Sequence, residues 1–296
     1  MRKLRNKLLL SILTVALTFI ALGTTTFAWF TLGGSATANA FEAQVTTPDG
    51  IEFSFDGKEW SNSLDLTEQV SENLRFIDIT SADGLAFDTK ADNGEIVAGD
   101  SYFTAKIYIR TTNSDTTINL SKVDFTETVI SWTPDVDLTY GEDVNWTKGG
   151  TAVEFAAVNA IRVSFNDGAN TKVVAIEGEK SHGAAALDGL AKAYAQKKGY
   201  TIDSTLSTAP ATPAATVENA DEIAEEDRIA VVASGQFSAT APQVEGFIDA
   251  DGYNYATLKI NVWLEGWDAD CINAILSGQV KLGFTFKAAF AGTTIE

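Results

Sequence analysis

From Ile51 to the C-terminus the apolar residues of this chain recur mostly at every second position, a period that strands satisfy and helices do not. Ile51-Glu52-Phe53-Ser54-Phe55 alternates apolar and polar and runs into the turn pair Asp56-Gly57. Tyr102–Arg110 is aromatic and β-branched. A polar cluster at 111–115 follows it, and then the run Thr116–Phe125. Ala160–Phe165 and Lys172–Ile176 flank Asn166-Asp167-Gly168, which reads as a hairpin. Ile229–Phe237 and Tyr255–Leu264 add two more strands. Gln279–Phe290 closes the chain with Val280, Leu282, Phe284 and Phe286 on one face. Strands with one apolar face must bury it against another layer. About eight or more of them, separated by turn signals, predict an all-β fold, a β-sandwich or jelly roll. Trp263 alternates with the equally apolar Val262 and Leu264, so one of these faces is predicted to be covered by something.

Two stretches leave the pattern. Ser181–Lys198 places Leu187, Leu190, Ala191 and Tyr194 at helical spacing, and Gly199 stands where a C-terminal cap belongs. Ser204–Asn219 is Thr, Ala and Pro with few charges, a linker composition. Residues 178–228 therefore read as a helical and linker insertion between two strands, too short and polar to bury a core of its own. Asp268–Ser277 predicts a short helix before the last strand: Asp268 suits an N-cap, Ile272, Ile275 and Leu276 share a face, and Gly278 ends it.

The N-terminus carries an export pattern. Arg2, Lys3, Arg5 and Lys7 precede 16 uncharged residues, 8–23. That run is short of the roughly 20 residues of a membrane span. Extension through Thr24–Leu32 keeps an uncleaved anchor open as the alternative, and these are the two routes by which the chain would meet a membrane. Thr26-Phe27-Ala28 offers a small-residue cleavage site between Ala28 and Trp29, with Ala36-Thr37-Ala38 and Ala38-Asn39-Ala40 as later alternatives. The expected organisation is a signal peptide at 1–28, an N-terminal strand segment at 29–46 and a sandwich domain at 47–296 containing the insertion. Cleavage removes four of the 21 basic residues and none of the 40 acidic ones, so the net charge moves from −19 to −23. Such a charge repels phosphate backbones and argues against nucleic-acid partners.

Chemistry-bearing residues are few. One Cys cannot form an intrachain disulfide, and one His excludes multi-His metal sites. His182 and Cys271 lie far apart in sequence, on a polar helix start and an apolar-spaced helix respectively. There is no G-x-S-x-G, G-x-x-x-x-G-K-[ST] or G-x-G-x-x-G. Asp249-Ala250-Asp251-Gly252 resembles the start of a calcium loop but lacks the later ligand positions, and a hairpin turn explains it. Asp268 and Asp270 fit helix capping and the helix dipole. No spacing singles out a carboxylate pair of the kind glycoside hydrolysis uses. No catalytic, cofactor or metal residues are therefore expected.

Thr26-Phe27-Ala28-Trp29-Phe30-Thr31, directly after the apolar run, resembles the export signal of the TasA/camelysin family of Gram-positive secreted fibre and surface proteins, which a SipW-type signal peptidase processes. Val97-Ala98-Gly99-Asp100-Ser101 before the strand Tyr102–Arg110 resembles the family's Pro-Gly-Asp turn, with Ala98 in place of proline. Thr112-Asn113-Ser114-Asp115 stands at the family's Asn-rich turn, and Lys281–Phe286 is similar to its last strand. The resemblance implies a jelly roll that polymerises by donating the segment freed on cleavage to the next subunit. In this chain the segment is 29–46, with Phe30 and then Phe41, Ala43 and Val45 alternating with polar residues. The same alternation fits the first strand of the chain's own sandwich. The expected function is a secreted structural protein of an extracellular fibre or biofilm-matrix surface layer, its main partner further copies of itself. The alternative is a glycan-binding surface module that meets cell-wall or matrix polysaccharide through exposed Trp side chains.

Overall fold

The computed structural model describes residues 36–37, 41–46, 50–89, 95–135, 137–140, 145–183, 211–218, 222–268, 270–271, 275 and 280–290, with the backbone alone for 36–37, 41–46, 89, 138–140, 145–146 and 290. Among them are nineteen strands: β1 (Ala36–Thr37), β2 (Phe41–Thr46), β3 (Ile51–Ser54), β4 (Ser63–Asp65), β5 (Arg75–Phe76), β6 (Asp78–Thr80), β7 (Asp88–Thr89), β8 (Phe103–Thr111), β9 (Thr116–Phe125), β10 (Val129–Trp132), β11 (Leu138–Tyr140), β12 (Asn145–Thr147), β13 (Val153–Ala156), β14 (Ile161–Asn166), β15 (Thr171–Ile176), β16 (Ala215–Val217), β17 (Ile229–Val232), β18 (Asn254–Glu265) and β19 (Val280–Phe290). The fold is all-β.

Two large sheets form the sandwich. One has five strands in the order β17-β9-β19-β2-β4. The other has eight, along the path β16-β15-β14-β18-β6-β7, with β8 paired to β18 and β3 to β8. Three two-stranded pairs, β1–β5, β10–β13 and β11–β12, complete the described strands. The inner faces meet through rings. Phe165 of β14 lies edge-on to Phe284 and Phe286 of β19, at 5.3 and 5.8 Å between centroids. Phe53 of β3 meets Phe286 at 6.0 Å. Leu120, Val163, Leu258, Ile260 and Val262 bury alongside them in one continuous core. Each such side chain contributes about 1.5–3 kcal/mol on leaving water.

The large sheet is covered on its outer face too. Trp263 is fully buried on the face opposite Val262 and Leu264, in a second cluster with Ile79, Tyr102 and Val173, and Phe87 packs against it. Two turns of identical chemistry help build this cover. In Ser54-Phe55-Asp56-Gly57 and in Ser81-Ala82-Asp83-Gly84 the Ser hydroxyl donates to the Asp carboxylate and accepts from the Gly N–H. The carboxylate then accepts the next two amides, Lys58 and Glu59 in one turn and Leu85 and Ala86 in the other. Those amides hold both carboxyls below their ordinary range. Gly84 has φ +73°, and its carbonyl accepts from Ser164 Oγ at 2.6 Å and Asn261 Nδ2 at 2.9 Å, pressing the turn onto β14 and β18.

Three expectations meet detail the sequence does not carry. The linker-like stretch includes β16, which adds parallel to β15 at the sheet edge, because the open backbone of Val174–Ile176 offers hydrogen bonds whatever the side chains. The insertion helix at 181–198 lies mostly outside the described residues. Of the helix expected at 268–277, the described residues 268, 270 and 271 form a turn, in which Cys271 N–H donates to the Asp268 carbonyl.

Candidate assembly site

Ala28, Trp29 and Phe30 lie outside the described residues; Phe41, Ala43 and Val45 lie on β2. That strand runs parallel to the last strand, β19, with Phe41, Ala43 and Val45 in register with Val280, Leu282 and Phe284. Val280, Leu282 and Phe284 bury their side chains in the core between the sheets. On its other side β2 is antiparallel to β4, Gln44 to Thr46 facing Asp65 to Ser63. The slot between β19 and β4 is thus filled, in the single chain, by residues 41–46 of that chain. Residues 47–50 alone separate β2 from β3, which belongs to the opposite sheet. The far side of β19 is occupied by β9 along its length. β2 is therefore the neighbour of β19 that comes from the chain's beginning. Each ladder hydrogen bond on it contributes about 1 kcal/mol.

The sequence reading missed a second feature, a buried charge cluster at the end of the large sheet. Arg162 of β14 is buried, and its guanidinium donates to Asp268 and lies 3.8 Å from Glu177. Ser181 Oγ donates to Glu177. Asp270, fully buried, accepts the His182 amide at 2.8 Å, and the imidazole Nδ1 stands 2.6 Å from its other oxygen. The His182 ring packs on Phe155 at 4.9 Å and lines a cavity of about 470 Å³ with Ser131, Glu154 and Lys180. Burial pushes the Asp268 carboxyl up to about 8, against the pull of Arg162, and burial also raises Glu265. Asp268 does cap locally, accepting the Asp270 amide at 2.8 Å. Its main partner is nevertheless a cation more than a hundred residues away, which local spacing cannot show. His182, expected as a polar surface residue, is instead brought to Asp270.

The described Trp side chains are all at least partly buried. Trp60 packs on Phe247 and Tyr255, both at 5.9 Å. The Arg110 guanidinium sits 4.5 Å above Trp60 and 4.4 Å from the Tyr253 ring. Trp132 packs against the core, and Trp263 Nε1 donates to Glu265 at 3.1 Å. In the Asp249–Gly252 segment, Gly252 takes φ +84° and Tyr255 Oη accepts the Ala250 amide, giving a turn into β18. Among the described residues no group of three or more His, Cys, Asp or Glu is arranged to hold a metal ion, and no helix is long and apolar enough to cross a membrane. Comparison with known proteins finds no matching family model, no matching curated protein and no matching solved structure.

Proposed function

We propose that this chain is a secreted structural protein, TasA-like in character, whose copies assemble into an extracellular fibre or surface layer through the N-terminal strand. The observation that carries the reading is the position of β2. A strand at the chain's beginning completes a sheet between β19 and β4, and backbone pairing does not distinguish a chain's own 41–46 from a neighbour's. Donation of that strand to the next copy leaves each donor's own slot to be filled in turn. The contact does not close on itself, and a filament results. The N-terminal export pattern and the acidic charge support the same reading: self-repulsion keeps free subunits apart until a specific strand contact overrides it.

The test is a deletion of residues 29–46, imaged by negative stain beside the mature chain. The expected result is fibres from the mature chain and a folded, dispersed monomer from the truncated one. Fibres from the truncated chain would refute the reading, as would a mature chain that stays monomeric at high concentration and after seeding. A glycan-binding module is the second reading, favoured by the half-buried stack of Trp60, Arg110 and Tyr253 on the outer face. Tryptophan fluorescence that stays unchanged on titration with wall polysaccharide would remove it.

A further inference from the structure

We infer that the turn Glu177–Gly183 is a proton-operated latch, seated on the loop after β18 while the buried carboxyl groups beneath it retain a proton, and lifting when that proton is lost. Four of the turn's amides are held by side chains from elsewhere, while the Glu177 amide donates to the Val217 carbonyl and those of Ser181 and Gly183 donate to the Gly178 carbonyl and Ser181 Oγ within the turn. The Gly178 amide donates to Asn159 Oδ1 at 2.7 Å, those of Glu179 and Lys180 to the Glu127 carboxylate at 3.2 and 2.7 Å, and that of His182 to Asp270 at 2.8 Å. Lys180 Nζ reaches Glu154 of β13 at 2.8 Å.

Among the described residues beneath the turn, the carboxyls of Glu177, Asp268 and Asp270 gather around the Arg162 guanidinium and the His182 imidazole. Asp268 and Asp270 are fully buried side chains, and Arg162 is nearly so. Glu265 at the end of β18 adds a fourth buried carboxyl, which accepts from Trp263 and from the Trp267 amide. Carboxylates crowded this closely cannot all ionise away from water. The cluster therefore keeps a proton, consistent with the upward shift of Asp268. His182 is the cluster's partly exposed member, and it sits on the turn. Lifting the turn admits water, and the Asp268 carboxyl then ionises at ordinary pH. Opening thus releases a proton, and linkage makes it easier as pH rises.

Hydrogen exchange on the purified chain, corrected for the pH dependence of intrinsic exchange, reads this directly. Protection of the Glu179, Lys180 and His182 amides should fall by about tenfold per pH unit between about pH 5.5 and 7.5, then level off above about pH 8, where the closed form has also lost the proton. Protection along β18 should hold. The Asp268→Asn variant should flatten the slope. Constant protection of the turn across this range would overturn the inference, as would an equal loss along β18 or an undiminished slope in D268N. If D268N does not fold, the wild-type Asp268 carboxyl carbon resonance decides the matter. Titration near the pH at which the loss of protection levels off supports the latch, and a carboxyl already ionised at pH 5.5 overturns it.

Discussion

Phe165→Leu tests whether the two sheets are held as the structure places them. Phe165 is fully buried and is the β14 ring that meets both Phe284 and Phe286 of the opposite sheet. Leucine keeps most of the apolar volume but cannot offer a ring edge or face to either partner. Two aromatic pairs worth about 0.5–1.5 kcal/mol each are lost, so the expected cost is roughly 1–3 kcal/mol, with a small void adding to it. That is a sizeable part of the roughly 5–15 kcal/mol that holds a domain folded. Guanidinium unfolding followed by tryptophan fluorescence measures it, with Val129→Ala, at an exposed position, as the control expected to stay within about 0.5 kcal/mol. A double-mutant cycle with Phe284→Leu should return a coupling of about 0.5–1.5 kcal/mol. A Phe165→Leu loss no larger than the control, or a coupling indistinguishable from zero, would refute the proposed sheet-to-sheet contact.

Four further outcomes follow from the same geometry. Arg162→Met should destabilise by about 3–5 kcal/mol in chemical denaturation, because it strands Asp268 and Glu177 without their buried cation. Lys180→Met breaks an ion pair whose two side chains are about half exposed, and should leave the chemical-denaturation midpoint almost unchanged. Gly84→Ala should cost about 1–3 kcal/mol, since φ is +73° and a Cβ would stand 2.6 Å from that of Ser164; unchanged thermal stability would show that the turn does not sit against β14. Folding stability should fall as pH rises from about 4 to 8. The raised Asp268 binds its proton more tightly folded than unfolded, so its contribution is complete below the unfolded value and gone once pH passes about 8. Below about pH 4 the direction should reverse. At Asp167, burial pulls the carboxyl upward, but the amides of Asn170, Ala169 and Ala233 outweigh it and hold it below its ordinary range, so that contribution is lost in acid.

Much of the fold was legible in the sequence because strands write their burial into it at period two. The residues Val280, Leu282, Phe284 and Phe286 read as one face and bury as one face. The unbroken apolar run at Val262–Leu264 announced that a face of this strand is covered by something, although nothing in it named Phe87 or Tyr102 as the cover on the Trp263 side. The strand pattern of Phe41, Ala43 and Val45 was equally plain, and its register against Val280, Leu282 and Phe284 was not. Pairing partners lie far apart along the chain, and register is set by how the sheets close.

The sequence by itself determined the kind of layer this chain builds, the turns that end its strands, the acidic charge that argues against nucleic-acid partners and the scarcity of His and Cys that thins the enzyme readings. Those properties are local or additive, so they survive without coordinates. The tertiary structure alone decided that β2 fills the slot between β19 and β4, that Arg162 is the cation for Asp268, and that the lone His182 sits on Asp270 at the edge of a buried charge cluster. These are meetings between residues dozens to hundreds of positions apart. Burial sharpens them, since removing water turns an unremarkable set of surface-type residues into groups that must share protons and partners.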